Sequence, residues 1–170
     1  MPNLFDLSTT LTVIFAALLV GNVATQLWLN ARQARHVWTH RDTVPMAFAA
    51  SVSLAEHQKA ADYTLAKLRL GNWGILLSAT VLLGWTLMGG LEALNLALRD
   101  VFGAGMTQQL ALMASVTVLG SLIELPLSWW RTFRLEAAFG FNKTTPKLWI
   151  NDLLKGALLG ALLGLPLAGV

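Results

Sequence analysis

The chain has 170 residues, of which 55% are hydrophobic and 12% charged, with a formal net charge of +3 and no cysteine. A soluble domain carries about 25% charge, so this composition, with a mean hydropathy of +0.59, makes a bilayer the solvent. Disulfides and cysteine-ligated metals are excluded. The basic pI near 9.7 does not point to nucleic acid, because Lys and Arg gather at the ends of apolar stretches, where membrane topology places them.

A crossing helix needs about 20 mostly apolar residues. Four stretches meet that length or approach it: residues 9–29, 73–98, 108–130 and 153–170. The fold class expected is therefore all-α, a polytopic membrane bundle of about four transmembrane helices with a cytoplasmic amphipathic helix. The first stretch does not read as a signal peptide. Met1–Ser8 has no Lys or Arg and carries Asp6, whereas a secretory leader begins basic. In its middle, Asn22 and Gln26 share one helix face. They either line a wet cavity or hydrogen-bond across helices.

Six cations follow in residues 30–72 (Arg32, Arg35, Arg41, Lys59, Lys67, Arg69). His36 and His40 stand four apart, a spacing that can hold zinc, but Val37 occupies the place where a metalloprotease helix needs glutamate. With the neighbouring arginines they read as a basic, lipid-facing edge. Thr43 and Pro45 predict a helix start, and residues 43–70 an amphipathic cytoplasmic helix. Phe48, Val52, Ala55 and Leu65 would form its apolar side, and Ser53, Glu56, Lys59, Tyr63 and Lys67 the opposite side. Gly71 and Asn72 are expected to break that helix or to start the next, the second span, which Gly89, Gly90 and Glu92 interrupt. Residues 99–107 hold one cation, Arg99, and residues 131–155 hold five. The positive-inside rule then puts both basic connections in the cytoplasm and the N-terminus outside.

The third span ends in the most informative segment, Glu124–Lys155. Pro126 removes a helical hydrogen bond and predicts a bend. Glu124 is either a cavity-facing carboxylate or one that snorkels to the interface or pairs with Arg131 or Arg134, aided by backbone freed at Pro126. Trp129, Trp130 and Trp149 fit interfacial anchors. In the fourth span Gly156, Gly160 and Gly164 repeat every four residues and predict a close packing face. That span closes in LPLAGV without an anchoring Lys, Arg, Trp or Tyr. The expectation is that residues 1–170 are the N-terminal transmembrane domain of a longer protein, with no catalytic domain in this stretch.

Two blocks resemble the N-terminal membrane region of the type I CAAX prenyl endopeptidases. The first is Arg32, Gln33, Arg35, Val44-Pro45, Ser53, Glu56, Lys59, Tyr63 and Lys67. The second, longer and more specific, is Leu125-Pro126, Ser128, Thr132-Phe133, Glu136, Gly140-Phe141-Asn142, Thr145, Asp152 and Lys155. Ala137 and Phe139 stand where the family often has an acid and a histidine, which points to a divergent member. The resemblance implies a helix bundle around an internal chamber in a zinc metalloendopeptidase that cuts prenylated or hydrophobic peptides. It implies zinc in the full-length protein, held by an H-E-x-x-H helix that residues 1–170 lack. This chain alone would hold no metal and be inactive. Its partners would be the bilayer, a C-terminal catalytic domain of the same polypeptide and the peptide substrate. Scaffold or supporting contacts are expected at Glu124, Arg131, Glu136, Asn142 and Asp152. Location would be a bacterial inner membrane, or the endoplasmic reticulum in a eukaryote. The rival reading is a non-enzymatic scaffold, a pseudo-protease or a transporter-like subunit without zinc.

Overall fold

The computed structural model describes the backbone of residues 4–168 and the side chains of residues 7–164. All of its regular structure is helical. In order these are α1 (Leu4–Thr39), a short 3-10 turn (Met46–Phe48), α2 (Leu54–Thr86), α3 (Gly90–Phe102), α4 (Met106–Trp130), a π-helical turn (Arg131–Glu136) and α5 (Pro146–Ala168). The chain divides after Leu87 into two compact units.

Almost nothing is buried within the protein. Among the described residues Ala61 and Leu135 are the buried apolar side chains, while Leu18 and Leu162 are 69% and 65% exposed. A water-surrounded protein would not leave whole helices of leucine uncovered. These side chains face lipid, whose tails are as apolar as they are. Two helical stretches, Leu7–Thr39 and Met106–Glu136, are individually long and apolar enough to cross. By length and composition α2 and α3 count as a third only if the two helices are one broken span. The expected span 153–170 lies within α5, which starts earlier, at Pro146; the described side chains stop at residue 164, so the LPLAGV terminus and Asp6 lie outside them.

In the first unit α1 packs on α2. Helix α1 continues ten residues past the expected span end at Leu29, carrying Arg32 and Arg35 on its last turns. The predicted start at Thr43 is corrected. The Thr43 amide donates to the His40 carbonyl in a turn, and Pro45 precedes only the 3-10 turn. Ser53 caps α2 instead. Its hydroxyl accepts from the Glu56 amide at 3.3 Å, and the Glu56 carboxylate accepts from the Ser53 amide at 2.9 Å. This reciprocal capping box satisfies two otherwise orphaned donors. Phe48 and Val52 therefore precede the helix and do not extend its apolar side.

The predicted break at Gly71-Asn72 is also corrected: α2 runs through it unbroken for 33 residues. One interior glycine costs only about 1 kcal/mol. Asn72 is meanwhile held on α1, where its side-chain oxygen accepts from the Asn30 amide group at 2.7 Å.

In the second unit α3 packs on α4. Gln108, 8% exposed, donates its side-chain amide to the Asn95 oxygen, so the one buried polar side chain described is satisfied. Helix α4 continues through Pro126 to Trp130 and into the π turn without a break.

Candidate functional site

Two polar constellations stand out, one in each unit. In the first, contacts between α1, α2 and their connection form a ladder. Asn30 meets Asn72 as described. The Arg41 guanidinium grips both Asp62 oxygens, at 2.8 and 2.9 Å. Gln58 donates to Asp42 at 2.7 Å, and His57 Nε2 donates to the His40 carbonyl at 3.0 Å. The hydrogen bonds from Arg41 hold the Asp62 carboxyl below its ordinary range, and that same pair raises Arg41 further. The capping hydrogen bonds from Ser53 likewise lower Glu56. These groups belong to the charged ends of the helices, outside the apolar stretches.

Deeper along the pair, a groove of about 350 Å³ opens between α1 and α2. Asn22, Gln26 and Ser78 line it together with Leu19, Val23 and Leu82. Of the two readings of Asn22 and Gln26, the cavity-lining one matches this geometry. Neither side chain hydrogen-bonds another described residue.

The expected polar row on α2 splits. Ser53 and Glu56 are occupied in the cap, Lys59 and Lys67 are exposed, and Tyr63 is half-buried. Sequence reasoning missed Asp62, Asn30 and the pairing role of Asn72. Arg41 and Asp62 are 21 positions apart, and no periodic signal joins them.

The second constellation occupies residues 129–149. Trp129, Phe133 and Trp149 cluster, with ring centroids 4.1, 5.3 and 6.2 Å apart. Arg134 stacks over Trp130 at 5.9 Å. The Phe141 amide donates back to the Glu136 carbonyl at 2.9 Å, and the Gly140 amide to the Ala137 carbonyl at 3.1 Å. With Gly140 at φ +77° this is a Schellman termination. Asn142 then accepts from the Thr144 amide at 2.7 Å, a local turn. Thr145 accepts from the Leu148 amide at 3.3 Å and, with Pro146 next, starts α5. Gly140, Asn142, Thr145 and Pro146 thus each have a defined task in turning the chain.

The other site candidates lie around this turn. Glu136 is half-buried at the end of the π turn, and Arg131 is exposed at its start. Glu124 and Asp152 are exposed on α4 and α5. The expected alternative partner for Glu124 is corrected: among the described residues it forms no ion pair with Arg131 or Arg134, and Arg134 is stacked on an indole.

No group of three or more potential metal ligands occurs among the described residues. His36 and His40 rings lie 4.2 Å apart, but His40 Nδ1 donates to the His36 carbonyl at 2.8 Å. This donor set does not fit zinc, which needs three or four converging ligands.

Comparison with known proteins follows the same segments. The family described as CAAX prenyl protease N-terminal, five membrane helices, matches residues 33–170. The "Probable CAAX prenyl protease 1" of Schizosaccharomyces pombe is 29% identical over 175 residues, covering 93% of this chain and 36% of that protein. The human "CAAX prenyl protease 1 homolog" is 27% identical, over 92% of this chain and 35% of that protein. The rice homolog reaches 47% identity over 58 residues, 34% of this chain and 14% of that protein. The crystal structure of S. mikatae Ste24p superposes with a TM-score of 0.82 at 24% identity, over 91% of this chain and 37% of that one. The chain thus spans about a third of the length of relatives that match it nearly end to end. A match across most of the sequence, on an all-helical, lipid-facing fold, places the chain in the CAAX prenyl protease N-terminal family as a multi-pass membrane protein.

Proposed function

We propose that residues 1–170 act as the N-terminal membrane scaffold of a zinc-dependent endopeptidase that cuts prenylated or otherwise hydrophobic peptides. The observation that carries this reading is the turn at residues 131–146. It is built from the residues that resemble the family and sits where α4 meets α5, at the basic edge of the membrane. Such a turn fixes the relative setting of two helix ends, and a catalytic domain needs fixed helix ends to sit on.

In this reading the chain contributes chamber wall, and the groove lined by Asn22, Gln26 and Ser78 belongs to that wall. Glu124, Arg131, Glu136, Asn142 and Asp152 support the catalytic part, which the same polypeptide supplies downstream. The two basic connections lie in the cytoplasm and the N-terminus outside. The zinc ligands are supplied by that downstream part, since the donor set here does not fit the ion. Bound there, zinc would acidify a water for attack on the peptide bond.

The test compares two proteins in detergent or nanodiscs: the product of the whole open reading frame and residues 1–170 alone. A farnesylated peptide is the substrate. The long product should cleave it, lose activity to a chelator and regain it with zinc, while residues 1–170 should be inert and zinc-free. Cleavage or stoichiometric zinc with residues 1–170 would refute the division of labour. An inert long product would favour the pseudo-protease or scaffold reading.

A further inference from the structure

We propose that α3 is an interfacial helix, lying flat in the headgroup region of the bilayer, and is not the outer end of a crossing helix. Three observations carry this.

The first is length. No charged residue occurs from Leu70 to Leu91. Its helical part, Leu70–Thr86, measures about 26 Å at 1.5 Å per residue, and the hydrocarbon core is about 30 Å thick. The three residues before Gly90 can cover the few ångströms that remain, which leaves α3, with Glu92, Arg99 and Asp100, at the edge of the hydrocarbon.

The second is tethering. Helix α2 ends at Thr86 and α3 begins at Gly90; α3 ends at Phe102 and α4, which crosses, begins at Met106. Three residues at each end span at most about 11 Å. Gly89 and Gly103, at φ +76° and +72°, make a turn possible at both joints. The helix can change direction at either end, but it cannot leave the membrane surface.

The third is the pattern of its faces. At 100° per residue, Leu91, Leu94, Leu98, Val101 and Phe102 share a sector about 100° wide, while Glu92, Arg99 and Asp100 lie about 110–150° from its centre. Helix α4 takes the neighbourhood of Asn95 through Gln108. Leu91, Val101 and Phe102 remain outward at 41%, 74% and 51% exposure. A short helix with a strong apolar side, opposed charges and a fixed position at the membrane edge fits the acyl-headgroup boundary. Lipid is the occupant this chemistry selects.

The absence of cysteine makes the test direct. Single cysteines at Leu91, Val101 and Phe102, and separately at Glu92, Leu96 and Arg99, are spin-labelled in the chain reconstituted into phosphatidylcholine–phosphatidylglycerol vesicles. Relaxation by oxygen is compared with relaxation by a water-soluble nickel chelate. The first three labels should favour oxygen and report one common depth; the second three should favour nickel. Steadily changing depth from residue 91 to 102 would mean a crossing helix and overturn the proposal. Nickel access at all six, or shielding from both reagents, would overturn it too. Because the readout is an alternation over six independent exposed positions, one misfolded variant does not decide it.

Discussion

Arg41 shows how much of the first unit hangs on single side chains. Its fork holds Asp62 in two near-parallel hydrogen bonds, 28% and 41% exposed at the two side chains. Because Asp62 titrates lower when folded, the pair's contribution is complete above pH about 4, the unfolded carboxylate value, and fades as pH falls through the folded value. Arg41 is raised, so its side of the pairing persists to strongly alkaline pH. Melting in detergent at low salt should therefore show an acid limb below pH 4 that Asp62→Asn shrinks, the remainder belonging to the capped Glu56; an unchanged limb would clear the pair of any role. Added salt should shrink the effect, since both groups touch solvent. Gly140 gives a second test. Gly140→Ala forces a Cβ into the left-handed region and should cost about 1–2 kcal/mol, read as a lower melting temperature. The candidates Glu136 and Asn142 entered the sequence reading through the family resemblance. The cap at Thr145-Pro146 and the left-handed Gly140 were not read there, although both follow local rules of turn chemistry. Asp62 and Asn30 were not visible, because their partners lie 21 and 42 positions away.

Among the elements, α2 separates what periodicity reveals from what it hides. The polar row from Ser53 was legible, but the helix start was placed at Thr43 and a break at Gly71-Asn72. Both errors gave a local residue preference priority over a partner in space or a better cap nearby. Ser53 has Glu56 three residues on, and Thr43 has no such partner. Ser53→Ala should destabilise the start of α2 by about 1 kcal/mol, seen as faster amide exchange at residues 54–57, while Thr43→Ala should leave exchange there unchanged. Equal effects would reverse the assignment. The Asn30–Asn72 contact should couple by about 0.6 kcal/mol in a double-mutant cycle, the average for polar pairs in membrane helices. No coupling would leave the continuity of α2 to propensity alone.

At the scale of the molecule, composition was sufficient to fix the class. An apolar content of 55% with 12% charge agrees with a fold that buries almost none of its leucines internally. The π turn was not legible, since no residue preference announces a widened turn. On the proposed reading, alanine at Glu124, Glu136, Asn142 and Asp152 in the product of the whole open reading frame should lower peptide cleavage at Glu136 and Asn142 most, through misplacement of the catalytic part, with expression retained. Normal cleavage in all four would remove these residues from the scaffold.

The widened turn at Arg131–Glu136 has a consequence for phase. A π turn accommodates roughly one residue more than an α turn, and one helical residue is about 100° of azimuth. Closing the turn to ordinary helix with all its residues kept would swing Gly140, Asn142 and all of α5 about the α4 axis by that angle, whereas deleting a single residue such as Thr132 removes the extra residue and keeps the downstream phase. A one-residue deletion here should therefore lower the melting temperature less than a one-residue deletion in the middle of α4, and the reverse order would count against a phase-absorbing turn.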